Sequence, residues 1–272
     1  MVEVGSMVKK HIVTGEVETA YRQSGNGPPL LLLHGGGGDA DHRYYDEFVG
    51  RVSPFIHTIA YDQRDCGESV FAAERAYELI EVAEDAVNLI GALGFDRVNV
   101  MGTSAGGIVS QIMATHWPNR IDRLILNVTV DPNVRITPDN PIVERRADMI
   151  KRGDYKGLAE MFSSPAYVAA HPEMVEKISE LRGVNAVPTP QQQRRMAALM
   201  AQQHVDHSKI THKTMIIAGE VDQAATLEKV GRLAALIPHA EMKVIPGAGH
   251  TALLENVDMY VSLVKSFLEI RG

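Results

Sequence analysis

The stretch from Arg97 to Ala114 constrains the fold more than any other. Arg97-Val98-Asn99-Val100-Met101 is a short apolar strand pattern. Gly107 to Ala114 carries apolar residues at 108, 109, 112 and 113, the spacing of one helix face. Between the two lies Gly102-Thr103-Ser104-Ala105-Gly106. Small residues around Ser104 let the chain turn sharply from strand to helix. Such a turn pushes the serine hydroxyl into the open and sets the next backbone N–H beside it, the geometry of a nucleophile elbow.

The same strand-to-helix step recurs. Leu30–Leu33, Thr58–Tyr61, Val98–Met101, Leu124–Val130, Thr214–Ala218 and 242–245 are short apolar runs bounded by turn residues, the pattern of strands buried on both faces. Between them, Leu79, Val82, Ala83, Ala86, Ile90 and Leu93 form one apolar helix stripe closed by Gly94, with further helices expected at 226–237 and from Val257 to Leu268. This alternation predicts an α/β fold with a mostly parallel, doubly wound sheet and sites at the carboxyl ends of its strands. From Pro132 to Ser208 the alternation stops. Helical segments at 141–152, 154–162, 172–182 and 190–203, punctuated by prolines that include Pro138 and Pro188, read as an inserted helical cap. The expected division is a core of residues 1–131 and 209–272 with a cap of 132–208.

Bulk properties exclude several partners. The chain of 272 residues has a net charge of −7 and no long basic run, which disfavours nucleic acid and anionic membranes. No apolar run approaches the roughly 18 residues of a membrane span. Met1 to Met7 lack the pattern of a secretion signal, and a lone Cys66 suits a reducing compartment, so a cytoplasmic location is expected. The expected partner is a small-molecule substrate. The sequence leaves the oligomeric state open and allows a homo-oligomer.

A serine hydroxyl needs an adjacent base, itself oriented by a third group. Asp222, in Ala218-Gly219-Glu220-Val221-Asp222, stands after one late strand pattern, and His250, in Gly247-Ala248-Gly249-His250, after the next. Serine, acid, histidine is the chain order that goes with such an elbow. Asp222 is favoured as the acid, with Glu220 and Asp131 as alternatives.

With His34-Gly35 after one strand, Asp62-Gln63-Arg64 with Gly67 and Ser69 after the next, the elbow at Ser104, the acid loop and Gly249-His250, the chain resembles the α/β-hydrolase superfamily over nearly its whole length. The resemblance implies that Ser104 attacks a carbonyl carbon, His250 shuttles the proton and Asp222 orients the imidazole. It implies an oxyanion site between the N–H of Ala105 and one from the Gly35–Gly38 run, Gly36 foremost with Gly35 beside it, and requires neither metal nor organic cofactor. The expected activity is hydrolysis of a small ester, lactone or thioester through an acyl-enzyme. The alternatives are hydrolysis of a carbon–carbon bond in a β-diketone-like or ring-cleavage product, cofactor-free perhydrolase or haloperoxidase chemistry, and a hydrolase-like receptor.

Other polar clusters receive structural readings. Asp62, Arg64 and Asp65 are expected to fix their loop by ion pairing and hydrogen bonding, and Cys66 to fill a small position. His204, Asp206, His207 and His212 match no metal signature and read as a solvated helix end. Arg145, Arg146, Arg194 and Arg195 read as helix-surface charge, or as partners for a substrate carboxylate. Met149, Met161, Met174, Met196 and Met200 suit either cap packing or an apolar substrate pocket.

Overall fold

The computed structural model describes residues 9–36, 40–134, 137, 139–185 and 189–270. Met1 to Met7, Gly37, Gly38, Pro138 and Pro188 lie outside the described residues. In chain order the elements are β1 (Lys10–Thr14), β2 (Val17–Ser24), β3 (Pro29–Leu33), α1 (Asp46–Val52), β4 (His57–Tyr61), β5 (Val70–Phe71), α2 (Leu79–Ala92), β6 (Val98–Thr103), α3 (Ala105–His116) and β7 (Ile121–Asn127). There follow α4 (Pro141–Arg152), α5 (Tyr155–Phe162), α6 (Pro165–Ala170), α7 (Pro172–Asn185), α8 (Pro190–Met200), β8 (Lys213–Gly219), α9 (Leu227–Leu236), β9 (Glu241–Ile245), α10 (Ala252–Glu255) and α11 (Val257–Phe267).

The strands form one sheet in the order β1-β2-β4-β3-β6-β7-β8-β9, with β5 paired to β2. Pairing is parallel from β4 to β9 and antiparallel at β1/β2, β2/β4 and β2/β5. Side chains alternate across the pleat, so Leu31 and Leu33 pack with α2, α3 and α9, while Leu30 and Leu32 pack with α1, α10 and α11. All four leucines are fully buried. An unbroken apolar run is therefore what a central strand covered on both faces requires.

The antiparallel edge escaped the sequence reading. β1 and β2 mix charged and apolar residues, and β1 is buried only at its end, so neither shows a continuous apolar run. The strand expected at 124–130 is Ile121–Asn127 instead. Val128 takes a φ of +41°, which turns the chain out of the sheet while its N–H still donates to the Ile217 carbonyl. In the segment between β7 and β8, α6 was missed because it is one short turn-and-a-half begun by Pro165 under a Ser164 cap. α8 ends at Met200, where Ala201 is extended, rather than at 203. Among the described residues no helix is long and apolar enough to cross a membrane.

Candidate active site

Ser104 sits between β6 and α3 at φ +52°, ψ −116°, a conformation strained for any residue with a Cβ. The surroundings over-determine it. Its N–H donates to the Asn127 carbonyl (2.9 Å), and its own carbonyl accepts from Thr129 Oγ1 (2.7 Å) and Gly107 N–H (2.9 Å). Beneath it lies a buried polar chain: Tyr260 Oη donates to Asn127 Oδ1 (2.6 Å), and Asn127 Nδ2 donates to Thr103 Oγ1 (3.1 Å). Thr103 Oγ1 pairs with Tyr45 Oη (2.7 Å), which donates to the Leu33 carbonyl (2.9 Å). Burial holds both tyrosines well above the ordinary phenol range, so they remain donors. These residues tie the ends of β3, β6 and β7 together. Their only sequence signal is a polar residue closing an apolar run, as in Leu124-Ile125-Leu126-Asn127.

His250 Nε2 accepts from Ser104 Oγ (2.9 Å), and its Nδ1 donates to Asp222 Oδ2 (2.7 Å). Asp222 Oδ1 also accepts from the N–H groups of Ala224 (2.7 Å) and Ala225 (3.0 Å). Burial alone would raise the Asp222 pKa. Electrostatic interaction with the neighbouring His250 imidazole, its hydrogen bond and the two amides outweigh this and hold it below the usual carboxylate range. The alternatives to Asp222 point elsewhere. Glu220 accepts from Gly247 N–H, and Asp131 accepts from Asn133 N–H and lies 3.6 Å from His207. Close approach of the two loops depends on glycine: a Cβ on Gly219 would stand 2.1 Å from the Gly249 carbonyl oxygen.

Gly35, Gly36, Ser104, Ala105 and His250 share one cavity of about 390 Å³. A Cβ on Gly35 would lie 3.0 Å from Ser104 Cβ, so this backbone is packed directly on the serine. The ends of β7 and β8 supply Val128, Val130 and Ala225, and the helices between β7 and β8 supply Val143, Phe162, Met196 and Met200. Met149 is buried instead. The Phe162 ring lies 5.3 Å from the His250 imidazole, and the Phe162 carbonyl accepts from Thr251 N–H (3.0 Å). Arg146, Arg182, Lys229 and Arg232 bring positive charge to the cavity wall.

Several polar residues differ from their sequence readings. Arg194 forms a two-pronged bond with Asp65 (both 2.9 Å), and Arg195 is 0% exposed, so neither is surface charge. Arg64 grips Asp85 (both 2.8 Å), and Asp62 accepts from His42 and Glu68, as the structural reading of this turn expected. The grouping Asp41, His42 and Asp62 is the one set of three or more among the described residues whose potential metal-ligating atoms all lie within 4.8 Å of one another. Hydrogen bonds to His42 and Glu68 engage Asp62, and the Arg43 guanidinium engages Asp41. His207 and His212 are buried, not solvated; His207 Nε2 bonds Gln111 Oε1 (3.0 Å) and His212 Nε2 the Pro118 carbonyl (2.8 Å).

Burial, the largest influence on both, lowers the pKa of His34 and His207. The folded state therefore favours neutral imidazole, and protons bind more readily to the unfolded chain. The resulting stability is present above about pH 6.5, the ordinary histidine value, and is lost as pH falls below it. The urea midpoint should drop between pH 7.5 and pH 5.5, and by less in a His207→Gln variant. A midpoint constant over that range contradicts the assignment.

A family model described as alpha/beta hydrolase fold matches residues 28–257. The chain is similar to a 2-hydroxy-6-oxo-2,4-heptadienoate hydrolase of Pseudomonas putida, with 25% identity over 98% of this chain and 99% of the relative. It is 27% identical to a putative carbamate hydrolase of Caulobacter vibrioides, covering 96% of this chain and 99% of that one. Among solved structures it resembles Est816, described as an N-acyl homoserine lactone degrading enzyme, at 25% identity and a TM-score of 0.82, covering 95% of this chain and 100% of that one.

Proposed function

We propose, from the premise that this chain belongs to the α/β-hydrolase fold family, that it hydrolyses a small ester, lactone or thioester with Ser104 as nucleophile. The observation that carries the reading is the continuous Ser104–His250–Asp222 hydrogen-bonded line opening on an apolar cavity. In this mechanism His250 Nε2 takes the Ser104 proton as Oγ bonds to the carbonyl carbon. Asp222 holds the proton on Nδ1 and stabilises the imidazolium. The oxyanion lies against Ala105 N–H, at the positive end of α3, and the backbone of Gly35 and Gly36. His250 then protonates the leaving group, and water, deprotonated by the same imidazole, releases the acid. Residues 132–208 act as the cap, and their apolar side chains select the acyl or alcohol part.

Incubation with a fluorophosphonate should modify Ser104 stoichiometrically, seen as one added mass on the peptide that contains it. Refusal of label by a protein that still binds small apolar ligands speaks against hydrolysis and for a receptor. A second reading has its own support. The cationic residues on the cavity wall suit an acidic substrate for carbon–carbon bond hydrolysis. The chain is similar, over 94–99% of their length, to relatives named as a 2-hydroxy-6-oxo-2,4-heptadienoate hydrolase and a 2-hydroxymuconate semialdehyde hydrolase. Parallel assays with p-nitrophenyl esters, lactones and a 2-hydroxy-6-oxo-dienoate separate the two. A kcat/KM for the dienoate exceeding every ester by 100-fold or more replaces the first reading with the second.

A further inference from the structure

Arg195 lies on α8, in the segment between β7 and β8, and is the largest fully buried side chain among the described residues. Its Nη2 donates to Gln63 Oε1 (2.9 Å), while Nε and Nη1 have no hydrogen-bond partner among the described residues. A buried cation held by one neutral amide is a poor stabilising device, because desolvating the charge costs more than one hydrogen bond returns. Anchoring α8 to the loop after β4 does not need it either. The adjacent Arg194 already does this through its two bonds to Asp65.

What Arg195 does reach is the loop beside the nucleophile. Gln63 Nε2 donates to the His34 carbonyl (2.6 Å), and Gln63 N–H donates to His34 Nε2 (3.2 Å). With Nε2 accepting, the His34 proton resides on Nδ1, which donates to the Gly35 carbonyl (2.8 Å). Gly35 packs on Ser104 and continues into Gly36. The unbroken line runs Arg195, Gln63, His34, Gly35. A guanidinium has donors only, so it accepts just one orientation of the Gln63 amide, with oxygen toward Arg195 and NH₂ toward His34. A flipped amide would set its oxygen against the His34 carbonyl oxygen.

We propose that Arg195 is a positioning residue: by fixing the Gln63 amide it locks His34 and thereby aims the Gly35–Gly36 backbone at the oxyanion. The catalytic consequence rests on the serine-hydrolase reading; the structural consequence does not. Arg195→Met keeps the volume and removes the donors. It should keep or raise the urea midpoint while lowering kcat about 10- to 100-fold, below the full loss of an oxyanion donor. KM should stay within about 3-fold, and the fall should be equal for short and long acyl esters. Arg195→Lys, with an ammonium able to donate to Gln63, should recover most of the rate.

The same variants are read by ¹⁵N NMR without any substrate. The His34 ring nitrogens and the Gly35 and Gly36 amides should shift in Arg195→Met and return toward wild type in Arg195→Lys. Unchanged signals overturn the proposal, as does an unchanged kcat in an enzyme that hydrolyses esters. If Arg195→Met does not fold, Gln63→Met must show the same kcat loss and amide shifts, or the relay is wrong. If wild type neither hydrolyses esters nor takes label at Ser104, the functional reading fails, and the NMR comparison still decides the relay.

Discussion

Ser104→Ala is expected to lower kcat/KM about 10⁴-fold or more while leaving the chain folded. In the proposed mechanism the hydroxyl supplies the bond-forming oxygen, and no other side chain in the line can replace it. His250 and Asp222 would still face each other, but with nothing to deprotonate except water. The stability consequence is separable. Ser104 holds its φ of +52° through backbone bonds to Asn127, Thr129 and Gly107, none of which involves the hydroxyl. Alanine keeps the strain, whereas Ser104→Gly should release part of it and raise stability by about 1 kcal/mol. Both variants should be equally inactive. An alanine variant retaining a tenth of the wild-type rate would remove Ser104 from the chemistry.

The second large effect concerns the elbow glycine on the helical side. A Cβ on Gly106 would stand 2.2 Å from the Leu33 carbonyl oxygen and 2.5 Å from that of His34. Both are backbone atoms at the end of β3, and β3 is held on one side by β4 and on the other by β6. The strand cannot retreat, so α3 must. Gly106→Ala should cost about 3 kcal/mol or more, a large share of the roughly 5–15 kcal/mol of a typical domain. Gly50→Ala is the control. Gly50 lies inside α1 with open space around its missing Cβ, and alanine there should add about 0.5–1 kcal/mol. Urea midpoints measure both, and similar midpoints for the two variants would refute the steric argument.

Much of this arrangement was legible in the sequence. Leu30–Leu33 announced a strand covered on both faces, and the apolar stripe from Leu79 matched α2 to within a residue of its end. The antiparallel edge was not legible, because a half-exposed strand spreads its signal over alternating polar residues. The surface reading of Arg194 and Arg195 failed for a related reason. Helical periodicity in α8 marks one apolar face, but whether the polar face meets water or the loop after β4 depends on docking across 132 residues of chain.

By itself, the sequence determined what neighbouring residues decide: where strands end, where the chain turns, and where small residues permit the sharp step at Ser104. These follow from side-chain periodicity and from sterics within a few residues. Only the tertiary structure decided among Asp222, Glu220 and Asp131, since which carboxylate meets His250 depends on how the loops after β8 and β9 converge on the end of β6. Only it revealed that Arg195 is buried against Gln63. Partners separated by 28, 132 or 146 residues are chosen by strand order and docking, which no local pattern encodes.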